Sequence, residues 1–266
     1  MPDPTIFMTL RGDAPVWAVA AVHGDVDRLY DLHRGLYGRL RKGDRIIYLG
    51  NYLGRGAAAR ETLDQLLLFR RSLMANRGFF ADDIVYLRGA QEEMWQKLLQ
   101  LQFAPNPTQV LQWMIDQGVG ATVASYGASV HDGLTAARQG IIALTRWTSG
   151  LRERLRACDG HNALLGTLRH AADTGSRRLL FVSAGVDVSR PLSAQGDRFW
   201  WGAAGFAELR EPYGDFRRVV RGYDPSHAGP QAGTAIVSLD AGCGFGGPLV
   251  AARFDGDGEV TDAIQA

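Results

Sequence analysis

The side chains with chemical potential stand at three glycine-bearing turns, at Gly24, Gly50 and Gly89, each directly after a short apolar run. The first turn offers His23, by type a metal ligand or proton carrier, although a lone histidine beside a turn is more often a satisfied polar residue. The second offers Asn51 and Arg55. An asparagine presents one neutral carbonyl oxygen, enough for a single cation, whereas a guanidinium can hold a phosphate or carboxylate bidentately without metal, or close a plain salt bridge. The third offers Gln91, whose amide does not titrate and so cannot act as a general acid, followed by Glu92.

The elements that must position these residues follow from periodicity. Strand-like runs at 16–22, 45–49 and 84–87 alternate with helical patterns at 26–40, 57–71 and 92–101, a βαβαβα signature. The turns therefore fall at the carboxyl ends of strands, where α/β folds carry their sites. Residues 103 to about 172 read as a helical cap, entered through Pro105 and Pro107. Strand patterns return at 178–182, 217–220, 234–239 and 249–254, which predicts a second, mostly antiparallel sheet. The Gly-rich stretch 241–247 reads as a tight strand connection, and the aromatic run Phe199-Trp200-Trp201, with Trp95 and Trp113, as core or cap packing.

A chain of 266 residues with 46% hydrophobic content suits one domain spanning 1–266, with the cap as an insertion at 103–172. A formal charge of +1 carries no footprint for nucleic acid or an anionic membrane, and the Arg-rich patches read as solvated faces. Two cysteines, Cys158 and Cys243, make neither a disulfide framework nor a zinc pair. The first fifteen residues lack the basic start and apolar core of a signal peptide, and no run reaches the ~20 apolar residues of a membrane span. The expectation is a cytoplasmic protein without membrane association.

Five segments carry a resemblance when taken in order: Ala20-Ala21-Val22-His23-Gly24, then 50–56 (Gly-Asn-Tyr-Leu-Gly-Arg-Gly), Gly89-Ala90-Gln91-Glu92, Phe181-Val182-Ser183-Ala184-Gly185, and Gly222-Tyr223-Asp224-Pro225. They resemble the signature blocks of calcineurin-like metallophosphoesterases, in the branch of bacterial serine/threonine protein phosphatases and symmetrical diadenosine tetraphosphate hydrolases. Further likeness lies at 121–127, 190–192 and 239–249. The resemblance implies a sandwich of two mixed β-sheets flanked by helices, with a helical cap. It also implies six ligands for two cations about 3.5–4 Å apart, which polarise the phosphoryl group and activate water.

Measured against that pattern, His23 alone keeps its ligand. Ala21, Ala90 and Ser183 stand where ligands are implied, Tyr223 stands in a histidine position, and Asn51 replaces the bridging carboxylate. Gln91 replaces the histidine implied as proton donor, and Gly54 the carboxylate that would orient it. The leading expectation is a catalytically inactive metallophosphoesterase-fold protein with no cofactor. It would act by binding an unknown protein or a phosphorylated ligand in a degenerate pocket of His23, Asn51, Arg55, Gln91, Ser183 and Tyr223. The alternative is an active phosphoesterase using manganese or another divalent cation, with Asp25, Asp224 or Asp240 as displaced ligands. Asp25, however, opens a helix and suits an N-terminal cap.

Overall fold

The computed structural model describes residues 6–203 and 205–266, so the first five residues of the stretch expected to lack a leader lie outside it. The chain begins with β1 (Phe7–Leu10), β2 (Val16–Val19), α1 (Val26–Arg39), β3 (Arg45–Tyr48), α2 (Ala59–Asn76), β4 (Ile84–Tyr86) and α3 (Ala90–Leu98). A helical stretch follows, comprising α4 (Pro107–Asp116), α5 (Val119–Ser125), α6 (Val130–Gln139), α7 (Ile141–Arg156) and α8 (His161–Gly166). The last third holds β5 (Ala171–Thr174), β6 (Leu179–Val182), α9 (Arg198–Trp201), β7 (Arg218–Arg221), β8 (Gln231–Ala232), β9 (Ile236–Ser238), β10 (Val250–Phe254) and β11 (Val260–Gln265).

Two mixed sheets result. The first runs β11-β10-β2-β3-β4, with β2, β3 and β4 parallel and β10 antiparallel to β2. Its central strands read VWAV, RIIY and IVY and are almost wholly buried, as strands covered on both faces must be. α1 supplies one cover through Leu29, Leu32 and Leu36, whose spacing puts them on one helical face. The second sheet runs β1-β5-β6-β7-β9-β8, and the edge-on contact of Phe181 with Phe254, ring centroids 6.0 Å apart, joins the two sheets across the core.

The second sheet departs from the antiparallel expectation. β6 and β7 pair in parallel, as do β7 and β9, and β1 and β5. The connections from β6 to β7 and from β7 to β9 are long enough for the crossovers that parallel neighbours need, whereas alternating apolarity alone does not reveal strand direction. The run at 249–254 belongs instead to the first sheet, closing it beside β2. β1, β5, β8 and β11 are absent from the sequence reading. β11 is an edge strand of mainly exposed and half-buried residues, with little apolar signal.

A second apolar cluster lies against the far side of the second sheet, where the β6–β7 connection folds back. Phe199, Trp200, Phe206, Tyr213 and Phe216 pack there on Leu180, Val182 and Val219. Most of the Phe199-Trp200-Trp201 run is therefore packing, as its composition suggested.

Candidate functional site

The turns after β2, β3 and β4 meet those after β6 and β7. The Ala21 amide donates to the Gly222 carbonyl (3.0 Å), and the Gly222 and Tyr223 amides donate to the Ser183 carbonyl (3.1 and 2.9 Å). Within the first sheet, the His23 amide donates to the Asn51 carbonyl (2.7 Å). Gly50, at φ +89°, is required by close approach as well as conformation, because a Cβ there would lie 2.7 Å from the Gly89 nitrogen.

Glu92 is the keystone of this end. Its carboxylate accepts hydrogen bonds from the backbone N–H groups of Asn51 (2.8 Å), Tyr52 (2.8 Å), Leu53 (3.1 Å) and Gly89 (2.8 Å). Burial raises its proton affinity, and those four amides oppose the rise. The glutamate kept from the third block thus clamps the second and third turns and is fully engaged in doing so.

Around that clamp the sequence-predicted residues His23, Asn51, Gln91, Ser183 and Tyr223 do come together. His23 is buried, at φ +55°, and its ring meets Tyr223 (centroids 5.3 Å) and Phe245 (5.4 Å) edge-on. Burial first, then Arg55 and His227, lower its pKa to about 3, so it is neutral at ordinary pH. Asn51 Oδ1 accepts from the Gln91 amide (3.0 Å), and Gln91 Nε2 donates to the Gln117 carbonyl (2.9 Å) of the cap. Both ring nitrogens of His23, Asn51 Nδ2, Gln91 Oε1 and Ser183 Oγ are buried without a protein partner. Such a concentration of unmet polar atoms marks where water or a ligand is held.

Arg55 stands at the exposed mouth, its guanidinium 4.4 Å from the centre of the Phe245 ring. No carboxylate pairs with it among the described residues. The salt-bridge alternative for Arg55 is therefore not what the geometry gives. Burial raises the Tyr223 phenol above its usual range, so it stays protonated. Sequence reasoning missed Phe245 and His227, which face each other at 4.2 Å and complete the wall. The signal lay in the Gly-rich stretch: a Cβ on Gly244 would sit 2.3 Å from the Cβ of His23, so that glycine lets the loop close over the histidine.

The three displaced-ligand candidates are spoken for. Asp25 caps α1, accepting from the Arg28 amide (3.2 Å) and pairing with its guanidinium (3.1 Å). Asp224 pairs with buried Arg221 (2.6 Å). Asp240 accepts from the Asp224 amide (2.8 Å), the Gly242 amide (2.8 Å) and His227 (3.2 Å). Among the described residues no group of three or more His, Cys, Asp or Glu side chains could hold a metal ion.

No family model matches the chain, and no curated protein does. Solved structures do. A protein provisionally assigned as a diadenosine tetraphosphatase superposes with a TM-score of 0.59 at 17% identity, covering 98% of each chain. A cold-active protein-tyrosine phosphatase of a psychrophilic Shewanella gives 0.52 at 13% identity, covering 98% of this chain and 82% of its own. A metallophosphoesterase from Sphaerobacter thermophilus gives 0.47 at 13%, covering 95% and 88%.

The chain therefore has the calcineurin-like metallophosphoesterase fold, a mixed α/β sandwich with helices. This likeness overturns the expectation of no cofactor as a reading of the fold, because phosphatases of the kind it matches normally use divalent metals. The side chains at the six positions nevertheless do not fit a two-metal centre. Ala21 and Ala90 have no donor atom, and no anionic group bridges beside the neutral His23 and Asn51. No helix among the described residues is long and apolar enough to cross a membrane.

Proposed function

We propose that this protein is a catalytically inactive member of its fold that acts by binding a phosphorylated ligand, small or carried on a protein, in the pocket of His23, Asn51, Arg55, Gln91, Ser183 and Tyr223. The observation that carries the proposal is Arg55, a cation at the mouth with no carboxylate partner among the described residues, set beside buried polar atoms that lack partners. A guanidinium resting over an aromatic ring keeps its N–H donors available in the fork that suits a phosphate. Asn51 Nδ2 and Ser183 Oγ are the nearby donors left over.

Turnover has little to draw on. Gln91 cannot give a proton to a leaving group, and His23, neutral and enclosed by Tyr223 and Phe245, has no carboxylate to orient it. The direct test measures hydrolysis of p-nitrophenyl phosphate and diadenosine tetraphosphate with added manganese, alongside calorimetric binding of a phosphoserine peptide. Binding without turnover, weakened about tenfold or more by Arg55→Gln, is the expected result. Robust turnover overturns the inactive reading, and binding indifferent to Arg55→Gln overturns the assigned pocket.

A further inference from the structure

A cavity is built around the Arg221–Asp224 segment and short helix α9. It has a volume of about 380 Å³ and is lined by Arg198, Trp201, Phe206, Arg221, Asp224 and Ser226, with small residues between them. Neither the metal-ligand positions nor the proposed phosphate contacts include it. Its floor is Arg221, 5% exposed, whose guanidinium spends Nε on Ser238 Oγ (3.1 Å) and one terminal nitrogen on Asp224 (2.6 Å). The other terminal nitrogen has no hydrogen-bond partner among the described residues. Phe206 lies beneath it, with the guanidinium carbon 5.3 Å from the ring centre.

The wall adds Arg198 on the short helix α9, half-buried, whose guanidinium makes no ion pair and no hydrogen bond among the described residues. Two cations and one carboxylate thus line one cavity. The carboxylate is committed, since Asp224 Oδ1 also accepts from the Ser226 amide (3.0 Å) and hydroxyl (2.8 Å). Asp240 and Asp187 lie within electrostatic reach of Arg221 and Arg198 respectively, yet unspent N–H edges of both guanidinium groups are left for an anion. The remaining lining includes Trp201, Phe206, Ala184, Ala203 and Pro225, all apolar.

We propose that this cavity is a separate binding site for a small organic monocarboxylate with an aromatic or flat apolar body, its carboxylate held by Arg198 and the free edge of Arg221. The lining holds two cations and one carboxylate, and Asp240 and Asp187 add negative charge close behind it, which favours a monoanion over a dianionic phosphate monoester. The volume accommodates a single-ring acid, and Trp201 and Phe206 supply ring contacts.

Phenylacetate is a suitable probe, titrated into the full-length protein and followed by calorimetry and tryptophan fluorescence. The expected outcome is one-to-one binding that Arg198→Gln weakens about tenfold or more and Arg55→Gln leaves unchanged. Near-ultraviolet circular dichroism of Arg198→Gln checks that the fold persists, which an exchange at a half-buried side chain without ion pair or hydrogen bond among the described residues should allow. Phenylacetamide, the neutral isostere, should bind at least about tenfold more weakly, and phenyl phosphate no more tightly than the carboxylate. No binding at millimolar phenylacetate, equal binding of the amide, preference for phenyl phosphate, or equal loss in Arg55→Gln each overturns the assignment. Loss in Arg55→Gln would place the acid in the first pocket, which distinguishes failure of this site from failure of the phosphate reading.

Discussion

At the turns of the first sheet the carboxylate of Glu92 is spent on four backbone amides, while the side chains buried in the pocket, behind Arg55 at its mouth, are neutral and several of their polar atoms lack partners. At the adjoining turns of the second sheet, Arg221, Asp224, Asp240 and His227 are charged or chargeable and paired with one another. One half of the same end is held together through its backbone and the other through its side chains. The first half therefore keeps its loops closed through Glu92, independently of which side chains face the pocket. The second half holds its charges as structure, which withdraws Asp224 and Asp240 from any metal.

The comparison breaks most visibly at Glu92. Glu92→Ala removes the acceptor for four buried N–H groups, each costing about 1–3 kcal/mol when orphaned, so the loss should reach about 4 kcal/mol or leave no folded protein. Glu92→Gln, which keeps one acceptor oxygen but turns an amide toward like donors, should fall between. Urea unfolding followed by circular dichroism ranks the three proteins. A loss below about 1 kcal/mol for Glu92→Ala would mean that the first half is held by something other than this clamp.

On the second sheet the corresponding change is Arg221→Ala, which strands Asp224 in a buried setting at a cost of about 3 kcal/mol. Pairing it with Asp224→Asn should recover a good part of the loss, because the stranded charge is then gone. A double-mutant cycle in denaturant measures the coupling. Strict additivity would show that the pair is not the fastening its 2.6 Å geometry indicates.

The scaffold was far more legible in the sequence than the site's wiring. β2, β3 and β4 declared themselves through unbroken apolar runs, and α1 through a single apolar stripe, because burial there dictates residue type. The pocket residues came from the resemblance to the metallophosphoesterase signature blocks, which fall at strand ends here. What could not be read was partnership. Whether Arg55 meets a carboxylate or the face of Phe245 depends on residues 190 apart in the chain, and the Gly-rich loop gives no periodic signal. The direction of β7 and β9 was equally hidden, since hydrogen-bond register leaves no mark on apolar alternation.

The neutral half is also testable by pH. The folded protein holds His23 near 3, first by burial and then by the nearby Arg55 and His227, whereas the unfolded chain returns it to its ordinary 6.5. Below about pH 6.5 the unfolded state binds a proton that the folded state refuses, so stability falls as pH drops from there to about 3 and is flat in this respect above 6.5. At about 1.4 kcal/mol per pH unit, the His23 contribution lost between pH 7 and pH 5 is about 2 kcal/mol. His33, buried against Phe69 and likewise lowered to about 3, adds a parallel loss. Urea titrations across that range on His23→Gln should show a slope shallower by about one proton than the parent. An unchanged slope would place His23 in contact with an acid or water that lets it charge.

The smallest effect separates capping from ligation at the edge between the halves. Asp25 follows His23 by two residues, close enough in sequence to pass for a displaced ligand, yet its side chain accepts from the Arg28 amide at 3.2 Å and grips the Arg28 guanidinium at 3.1 Å. Removing an N-cap of this kind costs about 1 kcal/mol, and a partly exposed ion pair adds a few tenths at most. Asp25→Asn retains an oxygen that can cap and should restore most of the stability, whereas a metal site would lose its anionic charge equally in Asp25→Ala and Asp25→Asn. The two exchanges therefore divide the readings: a capping residue sorts Asn with the parent in unfolding experiments, and a ligand sorts Asn with Ala in manganese-dependent hydrolysis. The geometry commits Asp25 to the first pattern, with the same rate of p-nitrophenyl phosphate hydrolysis in all three proteins.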